Sequence, residues 1–386
     1  MIKYYLLGAD KRLCDIVIAG SHDAGITKGK DNVQTQDQDI GGQANDGVRI
    51  FDLRIAAEKL TVNHGLGKEV ELRAFHADSK LMSNKTTTRY VPALNRNEVV
   101  TQTKLRGGAF GLGLSAMLQS AKTFVTTNTD EFLILKFDKS SNWRLIAETC
   151  VKELGASIYK GQGNLNLKTL RDLRGKVIVL FTSAGVAEVA LTHPPGSGIL
   201  GIKNLFSKEA PGVYDPLYNG MQYFGKGGTS VSNPWGKIAE NEEKQSKLMK
   251  KGGDGNPNVI GMMYWTTTGV SESIAARNNK MWTGSNITAL RAMWTNGLQE
   301  SIQSRIAKTV DPATHAAGGV LKAFMPNIVM VDFADTHKCR IIHELNAVGS
   351  NALVQASTAL DSEVALLRRK YAASPNRRDP LPAFRP

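Results

Sequence analysis

The sequence is poor in the features that settle a protein's class at a glance. Its 386 residues include three cysteines, Cys14, Cys150 and Cys339. They lie far apart without a C-x-x-C pair, which excludes a disulfide framework and a structural zinc site and makes a reducing compartment the simplest reading. No apolar run approaches the length of a membrane span, and the N-terminal MIKYYLLGADKRLCD returns to charge at Asp10, too soon for a signal-peptide core. The expectation is a soluble chain, cytoplasmic as synthesised or secreted without a cleaved signal peptide. Acidic residues are outnumbered, 35 Asp and Glu against 48 Lys and Arg, and the net charge of +13 favours an anionic partner. Internal repeats are missing, and so is any nucleic-acid motif with interleaved aromatics; the basic residues are scattered, which argues against nucleic acid. One near match to a phosphate-binding loop, GMQYFGKGG at 220–228, fails where Gly227 replaces the metal-binding hydroxyl. It reads as a mobile loop whose Lys226 can meet anionic headgroups.

What is present is a repeating pattern of buried strands. With 41% hydrophobic residues the chain can build one large core. Short Val- and Ile-rich runs recur at Asp15–Ala19, Val48–Ile55, Leu60–Asn63 or Val70–His76, Phe132–Phe137, Lys176–Thr182, Gly220–Phe224, Val259–Thr266 and Ile328–Phe333. Amphipathic helices are expected at Leu114–Val125, Trp143–Leu154, Glu240–Lys251 and Ile287–Thr309. Strand and helix alternate, so the expected architecture is an α/β fold, a TIM-type (β/α)8 barrel with irregularities and long loops, and its active site belongs at the strand C-termini. Ser79–Gly108, Pro194–Gly228 and Gly252–Asn258 read as loop excursions. Residues 1–350 are expected to form the barrel, and 351–386 a C-terminal helix with a basic, disordered tail.

Chemistry gathers at the strand ends. IVIAGSHDAGIT, residues 16–27, spends four apolar residues on delivering His22 and Asp23 to a turn. In GVRIFDLRIAAEKLTVNHG, residues 47–65, alternation puts Asp52 and Arg54 on one face, and His64 follows. Two histidines and an arginine suit phosphodiester cleavage, which needs a base for the attacking hydroxyl, an acid for the leaving oxygen and a cation for the charge between them. VELRAFHADSK offers His76 as a rival to His64, because it too ends an alternating strand.

The segments SHDAG, GVRIFDLR, NHG and DEFLILKFD, in that order, resemble the catalytic X-region of phosphatidylinositol-specific phospholipase C and the wider phospholipase-C-like phosphodiesterases. The resemblance spans most of residues 10–140 and resumes in NIVMVDFAD. It implies a barrel in which His22 is the general base, oriented by Asp332, Arg54 holds the phosphate, and Asp23 supports both. His64 comes first as the acid, and His76 stands as the alternative. The implied product is a cyclic phosphodiester with release of diacylglycerol, at an anionic membrane surface to which the protein binds peripherally. Lys136, Thr182, Tyr264 and Trp265 are the expected substrate contacts. Bacterial relatives use an arginine at the end of the fifth strand where this chain has Thr182 and Ser183, a departure that bears on inositol recognition. Arg54 points to the metal-free type, with no cofactor. Asp23, Asp52 and Asp138 fall where calcium-dependent relatives place oxygen ligands, and the lysine expected near Asp138 in the metal-free type is not found, so Ca2+ or Mg2+ remains an alternative. Two other readings stand beside this one: a metal-dependent phosphodiesterase of phospholipase-D-like or glycerophosphodiester type, and an inert basic lipid- or nucleic-acid-binding protein.

Overall fold

The computed structural model describes residues 1–60, 69–206, 214–227, 229–230, 240–245, 258–268, 273–284, 290 and 326–347. Strands β1 (Ile18–Ser21) and β2 (Val48–Leu53) pair in parallel and open a barrel. Five strands then leave it: β3 (Ile55–Lys59), β4 (Val70–His76), β5 (Met82–Val91), β6 (Arg96–Leu105) and β7 (Ala109–Gly113), which form a separate sheet in the order β5-β6-β3-β4-β7. The barrel resumes with β8 (Phe132–Phe137), β9 (Lys176–Thr182), β10 (Ile199–Asn204) and β11 (Gly220–Lys226). A two-residue strand β12 (Thr229–Ser230) follows, then β13 (Ile260–Tyr264), β14 (Thr267–Thr268) paired with β12, and β15 (Pro326–Val331). Eight parallel strands, taken in chain order, close when β15 returns to β1.

Barrel strands are buried on both faces, which is why they appear as unbroken apolar runs. In FLILKF of β8, Phe132 and Ile134 join the interior cluster with Ile18, Ile50, Ile178 and Met262. Leu133, Leu135 and Phe137 point outward against the helices. Each such fully buried side chain contributes on the order of 1.5–3 kcal/mol. The outer layer includes helices Leu114–Thr127, Trp143–Leu154, Ser183–Val189 and Ile274–Lys280. Among the described residues no helix connects β10 to β11, so the barrel is irregular there. None of the described helices is long and apolar enough to cross a membrane.

The expected count of eight strands was reached through two compensating errors. Val70–His76 is a strand, but it belongs to the outer sheet, and Ile199–Asn204 is a barrel strand that the Gly- and Pro-rich surroundings concealed. Its Gly201 leaves room for Tyr218, whose hydroxyl would lie 2.4 Å from a Cβ there and would have to shift. The first strand begins three residues later than expected. Gly220–Lys226, part of the supposed mobile phosphate loop, is a barrel strand. Ser79–Gly108 is mostly a ten-pair antiparallel hairpin of β5 and β6, turned at Asn95 with φ 55°. Residues 240–245 are helical as expected; most of Ile287–Thr309, and all of 351–386, lie outside the described residues.

Candidate active site

The same period-two alternation that fills the barrel turns polar at its C-terminal rim. Two residues past the apolar Ile50, Ile134, Met262 and Met330 come Asp52, Lys136, Tyr264 and Asp332. His22 follows β1 in the same way, four residues after Ile18.

The turn after β1 is shaped by several constraints at once. Asp23 has φ 44°, the left-handed region that Asp tolerates better than most residues. Ala24 N–H donates to Asp52 O at 2.9 Å, tying the turn to β2. A Cβ on Gly25 would lie 2.4 Å from the Ala74 Cβ, and one on Gly111 2.0 Å from Gly25 O. Glycine at both places lets the outer sheet press against the turn, and β4 thereby brings His76 to Asp23.

Asp23 is the hub. It is 2% exposed. Its Oδ2 lies 2.8 Å from His76 Nδ1 and 3.5 Å from His22 Nε2, and accepts from an Arg54 terminal nitrogen at 3.0 Å. Arg54 Nε is 2.9 Å from Oδ1, an ion-pair approach whose angle does not make it a hydrogen bond. On its other side His22 places Nδ1 2.8 Å from Asp332 Oδ1, while Asp332 Oδ2 accepts from Asn278 Nδ2 at 3.2 Å. The Tyr264 ring meets the His22 ring edge-on, 5.6 Å between centroids.

These contacts fix the charges. Burial alone would lower the His22 pKa, but Asp23 and Asp332 outweigh it and hold it up at about 9. Burial would raise Asp23, yet His22, Arg54 and His76 keep its carboxyl well below the usual carboxylate range. Beneath the rim Lys136 Nζ lies 2.7 Å from Asp52 Oδ1 and 3.5 Å from Asp138 Oδ2. Burial works against that ammonium, but Asp52 outweighs burial and raises its pKa well above the ordinary lysine value. Burial, with Asp52, pushes the Tyr264 phenol well up; it stays protonated and donates to Asp52 Oδ2 at 3.0 Å.

A cavity of about 180 Å³ opens among His22, Arg54, Asp138, Tyr223 and Tyr264. A larger one, about 530 Å³, adjoins it through Asp138, Lys139, Asn204 and Tyr223, with Thr182 and Lys203 on its walls. His76 lines neither cavity; it approaches Asp23 from the outer sheet, with its side chain 24% exposed.

The structure thus brings together His22, Asp23, Arg54, His76 and Asp332, with Asp52, Asp138 and Tyr264 adjoining. His64 lies outside the described residues. Two expected substrate contacts are elsewhere. Trp265 is fully buried outside the barrel and donates its indole N–H to Met281 O, because neighbours on a strand face opposite ways and Tyr264 already faces in. Lys136 is buried in its ion pair with Asp52 below the cavities, 3.5 Å from Asp138. Nor do the three carboxylates present a free cation site: Arg54 occupies Asp23, and Lys136 stands against Asp52 and Asp138. Among the described residues no group of three His, Cys, Asp or Glu side chains has the arrangement to hold a metal ion. Sequence reasoning missed Asn204 and Tyr223, whose signal was the polar residue following the apolar ones at the end of β10 and along β11.

No protein-family model matches the chain, and no curated protein matches it in sequence. Among solved structures, it is similar to phosphatidylinositol-specific phospholipase C from Listeria monocytogenes at 13% identity and TM-score 0.46, over 88% of this chain and 95% of that one. Similarity to the F249X mutant of phosphatidylinositol-specific phospholipase C from Staphylococcus aureus is at 16% identity and TM-score 0.44, over 88% and 95%. A calcium-dependent phosphoinositol-specific phospholipase C from Pseudomonas sp. is similar at 14% identity and TM-score 0.37, over 70% and 88%.

Proposed function

We propose that this chain is a phosphodiesterase that releases the headgroup of a phospholipid, of phosphatidylinositol-like type, through attack by a hydroxyl of the headgroup itself. The observation that carries the reading is a pair of imidazoles, each bonded through Nδ1 to its own carboxylate, His22 to Asp332 and His76 to Asp23, with Arg54 bound to the same Asp23. A carboxylate on Nδ1 holds the ring proton there and leaves Nε2 as the nitrogen that exchanges protons.

In the reaction His22 Nε2 takes the proton of the headgroup hydroxyl, and the freed oxygen attacks phosphorus. Charge grows on the non-bridging oxygens, where the Arg54 guanidinium stabilises it. The bond from phosphorus to the lipid oxygen breaks, and that oxygen takes a proton from His76 Nε2. A cyclic phosphodiester and diacylglycerol result. The headgroup occupies the cavities on the His22 and Tyr223 side, and the departing lipid faces the more exposed His76. His76 therefore serves as the acid. The cationic groups already on the carboxylates make the reaction independent of a metal ion, and the positive net charge suits an anionic membrane surface.

The test is incubation with vesicles of separate phospholipid classes, with and without a chelator, followed by phosphorus NMR of the released material. The expected result is a cyclic phosphodiester from one class, unchanged by chelation and abolished in His22→Ala. Retained lipid binding without release from any class would make the protein a binder; loss of activity on chelation would favour the metal-dependent phosphodiesterase reading.

A further inference from the structure

Three fully buried polar side chains take the three successive main-chain carbonyls of the turn after β1. Gln36 Nε2 donates to His22 O, Thr35 Oγ1 to Asp23 O and Gln43 Nε2 to Ala24 O, each at 2.9 Å. All three donors have 0% exposure. The same segment reaches the end of β15. Gln36 Nε2 also donates to Val331 O at 3.2 Å, its Oε1 accepts from Ala334 N at 2.9 Å, and Thr35 O accepts from Phe333 N at 2.6 Å. These partners bracket Asp332.

Two of the residues so held are strained. Asp23 has φ 44° and Phe333 has φ 50°, conformations that cost on the order of 1–3 kcal/mol and persist only where surrounding contacts over-determine them. Thr35 touches both. Its hydroxyl serves the first and its carbonyl the second. A purely stabilising role fits poorly, because burying an amide is costly unless all its atoms are paired. Gln43 Oε1 finds no hydrogen-bond partner among the described residues. The amide is therefore retained for where its nitrogen reaches, a second bond from which goes to Gln38 O at 2.6 Å.

We propose that Thr35, Gln36 and Gln43 are positioning residues: they lock the His22–Asp23 turn to the end of β15, so that two side chains 310 residues apart in sequence, His22 and Asp332, meet in bonding register. The kinetic part of this inference rests on the phosphodiesterase reading, and the spectroscopic part does not. Thr35→Val keeps the shape and removes the donor to Asp23 O; Thr35→Ser restores it. The readouts are kcat and KM, the thermal midpoint, and the low-field Nδ1 proton resonance of His22 in protein with 15N-labelled histidine. In Thr35→Val we expect kcat to fall about ten- to a hundredfold, since small misplacements of reacting groups have effects of that size. KM and the midpoint stay near the parent, the resonance shifts or broadens, and Thr35→Ser recovers all of it. Parental kcat and an unmoved resonance in Thr35→Val, or equal losses in the Val and Ser variants, would overturn the proposal. Should the parent cleave no phosphodiester, the resonance decides alone: moved in Val and restored in Ser upholds the positioning role, unmoved refutes it. If Thr35→Val does not fold, Gln36→Glu, which trades two N–H donors for an acceptor at constant shape, is read in the same way.

Discussion

Replacing Asp332 with Asn should move the pH dependence of the reaction, and the size of the movement follows from the surroundings of His22. Raising an imidazole from 6.5 to about 9 corresponds to about 3 kcal/mol in favour of the imidazolium. At pH 7 such a group is neutral in about one molecule in a hundred. On a nitrophenyl ester of the headgroup, whose leaving oxygen needs no proton from His76, only the base has to be in the right state, so kcat/KM of the parent should rise about tenfold per pH unit from pH 7 towards 9. Asp23 is the larger charge on the ring and Asp332 the next, with its hydrogen bond added. Asp332→Asn removes an anion 2.8 Å from Nδ1 while keeping the side chain's shape. The imidazolium then loses part of its stabilisation, its proton leaves at lower pH, and the acid limb moves towards 6.5. The plateau falls as well, by on the order of 10²–10⁴, since Asn does not select the tautomer as a carboxylate does. The deficit should be largest near pH 9 and shrink towards acid. Initial rates on that water-soluble nitrophenyl phosphodiester, measured from pH 5 to 10, report this directly. A parental profile flat between pH 7 and 9, or an Asn variant whose acid limb stays in place, would refute the electrostatic account of His22.

Three further outcomes are expected. Arg54→Ala lowers kcat by about 10²–10³ with a small change in KM, because the guanidinium pairs best with charge that develops in the transition state; steady-state kinetics separates the two parameters. His76→Ala costs about 10²–10⁴ with an aliphatic leaving alcohol but far less with a nitrophenyl ester, whose oxygen departs without a proton, so the ratio of the two rates in one variant isolates the acid's role. Lys136→Met leaves the Asp52 carboxylate buried without its ammonium partner, with the Tyr264 hydroxyl still bonded to it, at about 3–5 kcal/mol, and adding Asp52→Asn recovers most of that loss, as urea-unfolding midpoints of the two proteins show.

Much of the barrel was legible because parallel strands buried on both faces leave continuous apolar runs: Phe132–Phe137 and Lys176–Thr182 were read to the residue. Parity along β2 also placed Asp52 inside the mouth, beside the arginine that follows it. The rest lay beyond local pattern. ILGIKN of β10 is as long as β8, but Gly201 interrupts its apolar run and Gly and Pro closely precede it, so it does not register as a buried strand. That His76 reaches Asp23 depends on Gly25 and Gly111 allowing one sheet to lean on one turn, a contact between residues 86 apart that no spacing rule encodes. Trp265 was misplaced by overlooking the same alternation that placed Asp52 correctly. The Gln- and Asp-rich segment 34–43 has no hydrophobic period to mark it, and the burial of Thr35, Gln36 and Gln43 becomes visible only once their acceptors are known.

His76 arrives on the five-stranded annex and not on the barrel wall. In the proposed reaction the two proton-handling imidazoles therefore belong to different building blocks, joined at the Asp23 carboxylate. In that reaction an annex of another outline, provided that it still packed on the His22–Asp23 turn, would alter which alcohols are expelled and how they are shielded from water, while the barrel carboxylate that orients His22, Asp332, stays in place. Variation in reaction partners can in this way accumulate at the periphery without renegotiating the interior.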